Sequence, residues 1–132
     1  MSGIERFSSG GRWEPIMGYS RTVRAGATVL VSGCTAASPD GEVAGVDDVG
    51  AQTRACLAAI DRALALAGAR LDQVVQTRVY ATDISRWEEV ARAHGEVFGA
   101  IRPVNTFVEV SALIDPRMLV EIEAQAYAPL PG

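Results

Sequence analysis

Lysine is absent from this chain. All 12 positive charges are arginines, so no side chain can form a Schiff base, and lysine-dependent aldolase or pyridoxal chemistry is excluded. Histidine is almost as scarce. His94 stands alone, and with only Cys34 and Cys56 beside it no tetrahedral Cys/His metal cage can be completed. No ligand spacing suggests a carboxylate site either, so no metal is expected. Cys56 falls inside a helical pattern, which leaves no disulfide framework and points to a reducing cytoplasm. No apolar run approaches the ~20 residues of a membrane helix. No apolar stretch follows Met-Ser-Gly-Ile-Glu-Arg, so neither a secretory signal nor a membrane partner is expected. A surplus of positive charge is missing as well. The net charge of −4 argues against nucleic acid, because binding phosphate requires a basic patch.

What is present suits a single packed domain. The chain has 132 residues, 48% hydrophobic and 21% charged, enough to bury a core but too few for two ordinary domains. Residues 1–12, with Ser-Ser-Gly-Gly near their end, read as a loose leader. Tyr19–Ala25 and Thr28–Gly33 read as a hairpin around Gly26, and Pro39-Asp40-Gly41 as a turn. Asp47 and Asp48 open a helix that runs to about Ala67. Gln73–Thr82 reads as a strand with Val75, Val79 and Ala81 on one side and Gln76, Arg78 and Tyr80 on the other. Ser85 and Glu88 form a capping-box pattern ahead of a second helix, whose inward stripe would be Trp87, Val90, Ala91, His94 and Phe98. Strands over Val104–Val110 and Met118–Tyr127 complete the order β-β-α-β-α-β-β. This is an α+β arrangement, a mixed sheet with two helices on one face. Along the last strand Val120, Ile122, Ala124 and Ala126 share one side, while Leu119, Glu121, Glu123 and Gln125 share the other. The second side suits either solvent or the inner wall of an oligomer, and parity alone does not choose between them.

Several segments carry a resemblance. Arg102-Pro103-Val104-Asn105-Thr106-Phe107-Val108-Glu109-Val110, with Leu119-Val120-Glu121-Ile122-Glu123-Ala124, resembles the C-terminal motif of the YjgF/RidA family, also labelled L-PSP endoribonuclease. Gly18-Tyr19 with Leu30-Val31-Ser32-Gly33, and Val79-Tyr80-Ala81-Thr82-Asp83-Ile84, are similar to its N-terminal and central motifs. The resemblance implies a chorismate-mutase-like fold assembled as a homotrimer with clefts between subunits. It also implies cofactor-free hydrolysis of small imines and enamines to ketones and ammonia. By position, Glu121 stands where the family's water-positioning carboxylate lies, and Tyr19 and Ser32 where its cleft Tyr and Ser lie. The family's carboxylate-binding Arg is replaced by Asn105, and a neutral amide offers no bidentate charge-assisted pairing. Phe107 stands in place of a smaller cleft residue, and Ala91 and His94 in place of the usual Asn and Tyr. The expected activity is therefore of the imine/enamine deaminase type, on a small substrate without the usual carboxylate handle rather than a 2-imino acid. The alternative is a non-catalytic ligand-binding or interaction protein on the same trimer. A ribonuclease is disfavoured by the acidic charge and the lone histidine.

Each candidate also has a plainer role. Glu121 is a general base or an ion-paired strand residue, and Tyr19 a ligand donor or an ordinary strand aromatic. Ser32 and Cys34 share a parity that lets both line a cleft, but no base is evident that would make Cys34 a nucleophile. Glu109 and Glu123 suit interface ion pairs. His94 reads as a satisfied core histidine, Trp87 as core and Trp13 as an anchor for the leader. Asn105 is either a neutral donor and acceptor to a ligand or a polar residue at a subunit seam.

Overall fold

The computed structural model of the chain describes residues 3–131. In chain order the elements are β1 (Ile4–Phe7), α1 (Trp13–Met17), β2 (Thr22–Ala25), β3 (Thr28–Cys34), α2 (Val49–Leu66), β4 (Val74–Ala81), α3 (Trp87–Phe98), β5 (Val104–Glu109) and β6 (Val120–Tyr127). They build one mixed sheet of order β1-β2-β3-β6-β4-β5, in which only β4 and β5 run parallel. The parallel pair is joined through α3, the kind of crossover a parallel connection requires.

The core follows from side-chain period. In β6, Val120, Ile122, Ala124 and Ala126 are buried and the residues between them are more open, the alternation expected of a sheet covered on one face. Leu57, Ile60 and Leu64 of α2 pack onto them together with Val29 and Val31 of β3. Asp48 caps α2 by accepting from the Ala51 N–H. At the other end Arg24, itself buried, donates to the Ala67 carbonyl through Nε (3.0 Å) and Nη2 (2.7 Å). That arginine satisfies an orphan helix carbonyl and joins α2 to β2. Among the described residues no helix is long and apolar enough to cross a membrane.

Four expectations need correction. The leader contains structure: Ile4–Phe7 pairs antiparallel with β2, from Ile4↔Ala25 to Phe7↔Thr22, while residues 1 and 2 lie outside the described residues. This strand is made by a partner, and its four mostly exposed residues carry no clear alternation of their own. The capping box does not form at Ser85. Asp83 accepts from both the Ser85 N–H (3.0 Å) and hydroxyl (2.6 Å), which holds a 3-10 turn over Ile84–Arg86. Helix α3 begins after it, and its buried stripe is Val90, Ala93, partly His94 and Val97, and Phe98; Trp87 is 52% exposed and Ala91 faces solvent. In β4 a register shift between Val74 and Gln76 buries Val74 and leaves Val75 46% exposed, the reverse of simple alternation.

Candidate functional site

Gly18 ends α1 in the left-handed conformation (φ 77°), which a Cβ would disfavour. The chain then turns to present Tyr19 and Arg21 alongside β3, where the Ser32 N–H donates to the Arg21 carbonyl at 2.9 Å. Ser32, Gly33 and Cys34 occupy the end of β3, where the pairing with β6 is irregular between Val31 and Cys34. Glu121 comes from the start of β6. Tyr19, Ser32, Cys34, Glu121 and Arg21 all line one cavity of about 640 Å³. The loop before α1 closes one side of it. Buried Glu14 holds that loop by accepting from the Ser9 hydroxyl (2.6 Å) and the Gly11 N–H (3.0 Å). Burial alone would raise the pKa of Glu14, but these hydrogen bonds outweigh it and leave the carboxyl below its ordinary value.

Glu121 has the opposite environment. Burial pushes its pKa up, the Arg21 charge opposes this, and the nearby Glu123 carboxylate adds to the rise. No described residue donates a hydrogen bond to the Glu121 carboxylate. Its place depends on Gly33, because a Cβ there would collide with the carboxylate. Ser32 donates its hydroxyl to the Ser20 carbonyl (2.6 Å), which leaves its oxygen free to accept. Tyr19 accepts a long contact from Arg21 Nη2 (3.4 Å), so its own hydrogen remains available to a ligand. Burial raises the pKa of Cys34 even though Arg21 opposes it, so the residue stays a thiol and not a nucleophilic thiolate.

Asn105 and Phe107 lie elsewhere within a single chain. They sit on β5, separated from β3 by β6 and β4, and point to the helix-covered face. Asn105 Nδ2 donates to Thr77 Oγ1 (3.0 Å), and Thr77 Oγ1 lies 2.9 Å from His94 Nε2. Since Thr77 accepts from Asn105, its hydroxyl is free to donate to His94 Nε2, which fits a neutral imidazole. Burial lowers the pKa of His94 in the same direction. Glu123 pairs with Arg78 (3.4 Å) and accepts from the Tyr80 hydroxyl, and Glu109 accepts from the Ile84 N–H (3.0 Å). Trp13 is partly buried against Ala36, Val43 and Met118. Arg21, Gly33 and the Ser8–Gly11 wall were not selected from sequence. Arg21 had one available signal, its position two residues beyond Tyr19, which suits the same side of an extended chain.

A mixed sheet with helices on one face and a cavity where β3 meets β6 defines the class of protein. The family model described as endoribonuclease L-PSP matches residues 10–128, and the chain belongs to that family, known structurally as YjgF/RidA. It is 37% identical over 124 residues to an uncharacterised protein of Streptomyces coelicolor, covering 94% of this chain and 92% of that one. It is 30% identical over 113 residues to the 3-aminoacrylate deaminase RutC of Acinetobacter baylyi, covering 86% and 89%. The crystal structure of Rv2704 from Mycobacterium tuberculosis, a member of the YjgF/YER057c/UK114 family, superposes with a TM-score of 0.86 at 53% identity, covering 95% of this chain and 99% of that one.

Proposed function

We propose that this chain is a cofactor-free hydrolase of the deaminase type that converts a small imine or enamine to a carbonyl compound and ammonia, with Glu121 as its acid–base group. The observation that carries this reading is a carboxylate with a raised pKa, bare of hydrogen bonds and facing a cavity that also holds Tyr19 and Ser32. A carboxylate whose pKa is raised by burial is, once ionised, a stronger base than a free one. The likeness to a relative named 3-aminoacrylate deaminase supports the same chemistry.

An enamine first takes a proton on carbon and gives up one from nitrogen to become the imine. Glu121 then draws a proton from water as the water oxygen bonds to the C=N carbon and the π pair moves to nitrogen. The proton held by Glu121 passes to that nitrogen. The hydroxyl of the resulting carbinolamine then gives up its proton, through Glu121, to the same nitrogen as the C–N bond breaks, so the carbonyl forms, ammonia leaves and one water is consumed for each ammonia released. Tyr19 donates to the substrate and Ser32 accepts from it. Cys34 contributes wall surface as a protonated thiol.

The assembly in this reading is a homotrimer. The sheet face opposite the helices exposes Leu30, Val104 and Val108 beside the Arg78–Glu123 pair, a mixture suited to a partner surface. In the trimer the β5 edge of one chain borders the cavity of the next, which brings Asn105 and Phe107 to the site. Light scattering at micromolar concentration is expected to give a trimer, and a stable monomer would contradict the shared cleft. Catalysis is tested by ammonium release from imines generated in situ, with and without a carboxylate, over a buffer blank. Failure to accelerate any of them would leave a binding protein instead.

A further inference from the structure

Three charged side chains line the cavity: two arginines, Arg21 and Arg62, against one carboxylate, Glu121. The cavity is thus biased positive in a chain whose net charge is −4. Arg54, Arg70, Arg78, Arg86, Arg92 and Arg117 each form an ion pair with a carboxylate. Among the described residues, neither cavity arginine does. Arg21 is nevertheless fixed. Its Nη1 donates to the Gly33 carbonyl (2.7 Å) and the Ser32 carbonyl (3.3 Å). The opposite Nε–Nη2 edge has only 3.4 Å contacts to the Ser9 and Tyr19 hydroxyls, which also line the cavity. Contacts of that length are weak, and a charged acceptor competes favourably with a neutral hydroxyl for the same N–H groups. What remains is a planar fork of two parallel N–H donors, held by backbone from behind and under-used in front.

We propose that the Nε–Nη2 edge of Arg21 binds a carboxylate of the substrate, with Arg62 adding a second and less constrained positive charge, so that the site selects small monoanions although Asn105 is neutral. This reverses the expectation drawn from Asn105 of a substrate without a carboxylate handle. The fork matches a carboxylate in geometry as well as charge. It shares the cavity with Glu121 without forming an ion pair to it, so anchor and acid–base group remain separate. The inference rests on the proposed deaminase reading for the reacting end of the substrate, but not for its anionic end.

The test is therefore a binding measurement that needs no turnover. Pyruvate, a stable product-like 2-oxo acid, and its uncharged amide pyruvamide are titrated by calorimetry into wild type, Arg21→Gln, Arg21→Lys and Arg62→Gln. Wild type should prefer pyruvate by about tenfold or more, the scale expected for charge-assisted hydrogen bonds. Arg21→Gln should lose that preference, Arg21→Lys should keep part of it, and Arg62→Gln should lose less than Arg21→Gln. If Arg21→Gln fails to fold, the wild-type preference and the Arg21→Lys variant decide. Equal affinity of wild type for the two compounds would overturn the proposal. So would no pyruvate binding at tens of millimolar, or a preference undiminished in either Arg21 variant. A protein that prefers pyruvate yet hydrolyses no imine would refute the deaminase reading and leave the anion site standing.

Discussion

The cavity between β3 and β6 and the outer edge at β5 treat polar side chains in opposite ways. At β5, Asn105, Thr77 and His94 form a short chain in which Thr77 is fully buried and matched on both sides. In the cavity, Glu121 accepts no hydrogen bond from the described residues, and half of the Arg21 guanidinium is under-used. Buried polar groups that are satisfied stabilise a fold, whereas groups left unsatisfied in a cleft have capacity for a ligand. On that comparison β5 supplies architecture within the chain, and the β3–β6 end supplies chemistry.

Substitutions can break this contrast at either end. The largest effect is expected for Glu121→Gln, which keeps shape and removes the base; kcat should fall by about 10²-fold or more in steady-state assays while the oligomer persists. Gly33→Ala should come next. Its backbone φ is not left-handed, so the effect arises from the new Cβ displacing the Glu121 carboxylate. A displacement of about 1 Å can cost on the order of 10²-fold, so turnover should drop by about 10- to 100-fold with the unfolding midpoint nearly unchanged. Thr77→Val should show the reverse pattern. It strips the shared hydroxyl from Asn105 and His94, and urea unfolding should reveal a loss of about 1–3 kcal/mol, with turnover falling less than in Gly33→Ala.

The smallest effect is expected from the titration of His94. Its folded pKa is lowered from 6.5 by burial, so the unfolded chain binds the proton more readily. Stability should therefore decline as pH falls below 6.5 and level off below the lowered folded pKa. Comparing wild type with His94→Gln across that window isolates the contribution. A stability profile identical in the two proteins would show that the imidazole titrates as it does when unfolded.

Much of this architecture is readable along the chain. The β6 alternation separates Val120 and Ile122 from Glu121 and Glu123, because burial on one face imposes a period of two. Asp48 at the start of α2 and the hairpin around Gly26 are likewise local features, and the structure bears them out. The misplaced features depend on distant partners or on local competition. β1 exists because β2 offers an edge, and the bulge at Val74–Gln76 overrides alternation in β4. Asp83 takes the Ser85 hydroxyl that a capping box would have used. In the site, motif positions bring Tyr19, Ser32, Cys34 and Glu121 together, but not Asn105 or Phe107 within one chain. Arg21 escaped selection because its importance lies in how the Ser32 and Gly33 carbonyls orient it, a contact with no signature in residue type.

The central claim is that burial tunes Glu121 to act as a base. The measurement that tests it most directly is the pH dependence of kcat/KM for imine hydrolysis, in wild type and Glu121→Gln, after subtraction of the uncatalysed rate. Activity should fall as pH drops through a single ionisation above the ordinary glutamate value of 4.5, since the base must be deprotonated to act. That limb should be missing from whatever rate Glu121→Gln retains. A limb that persists in the variant, or one centred at or below 4.5 in wild type, would contradict the account.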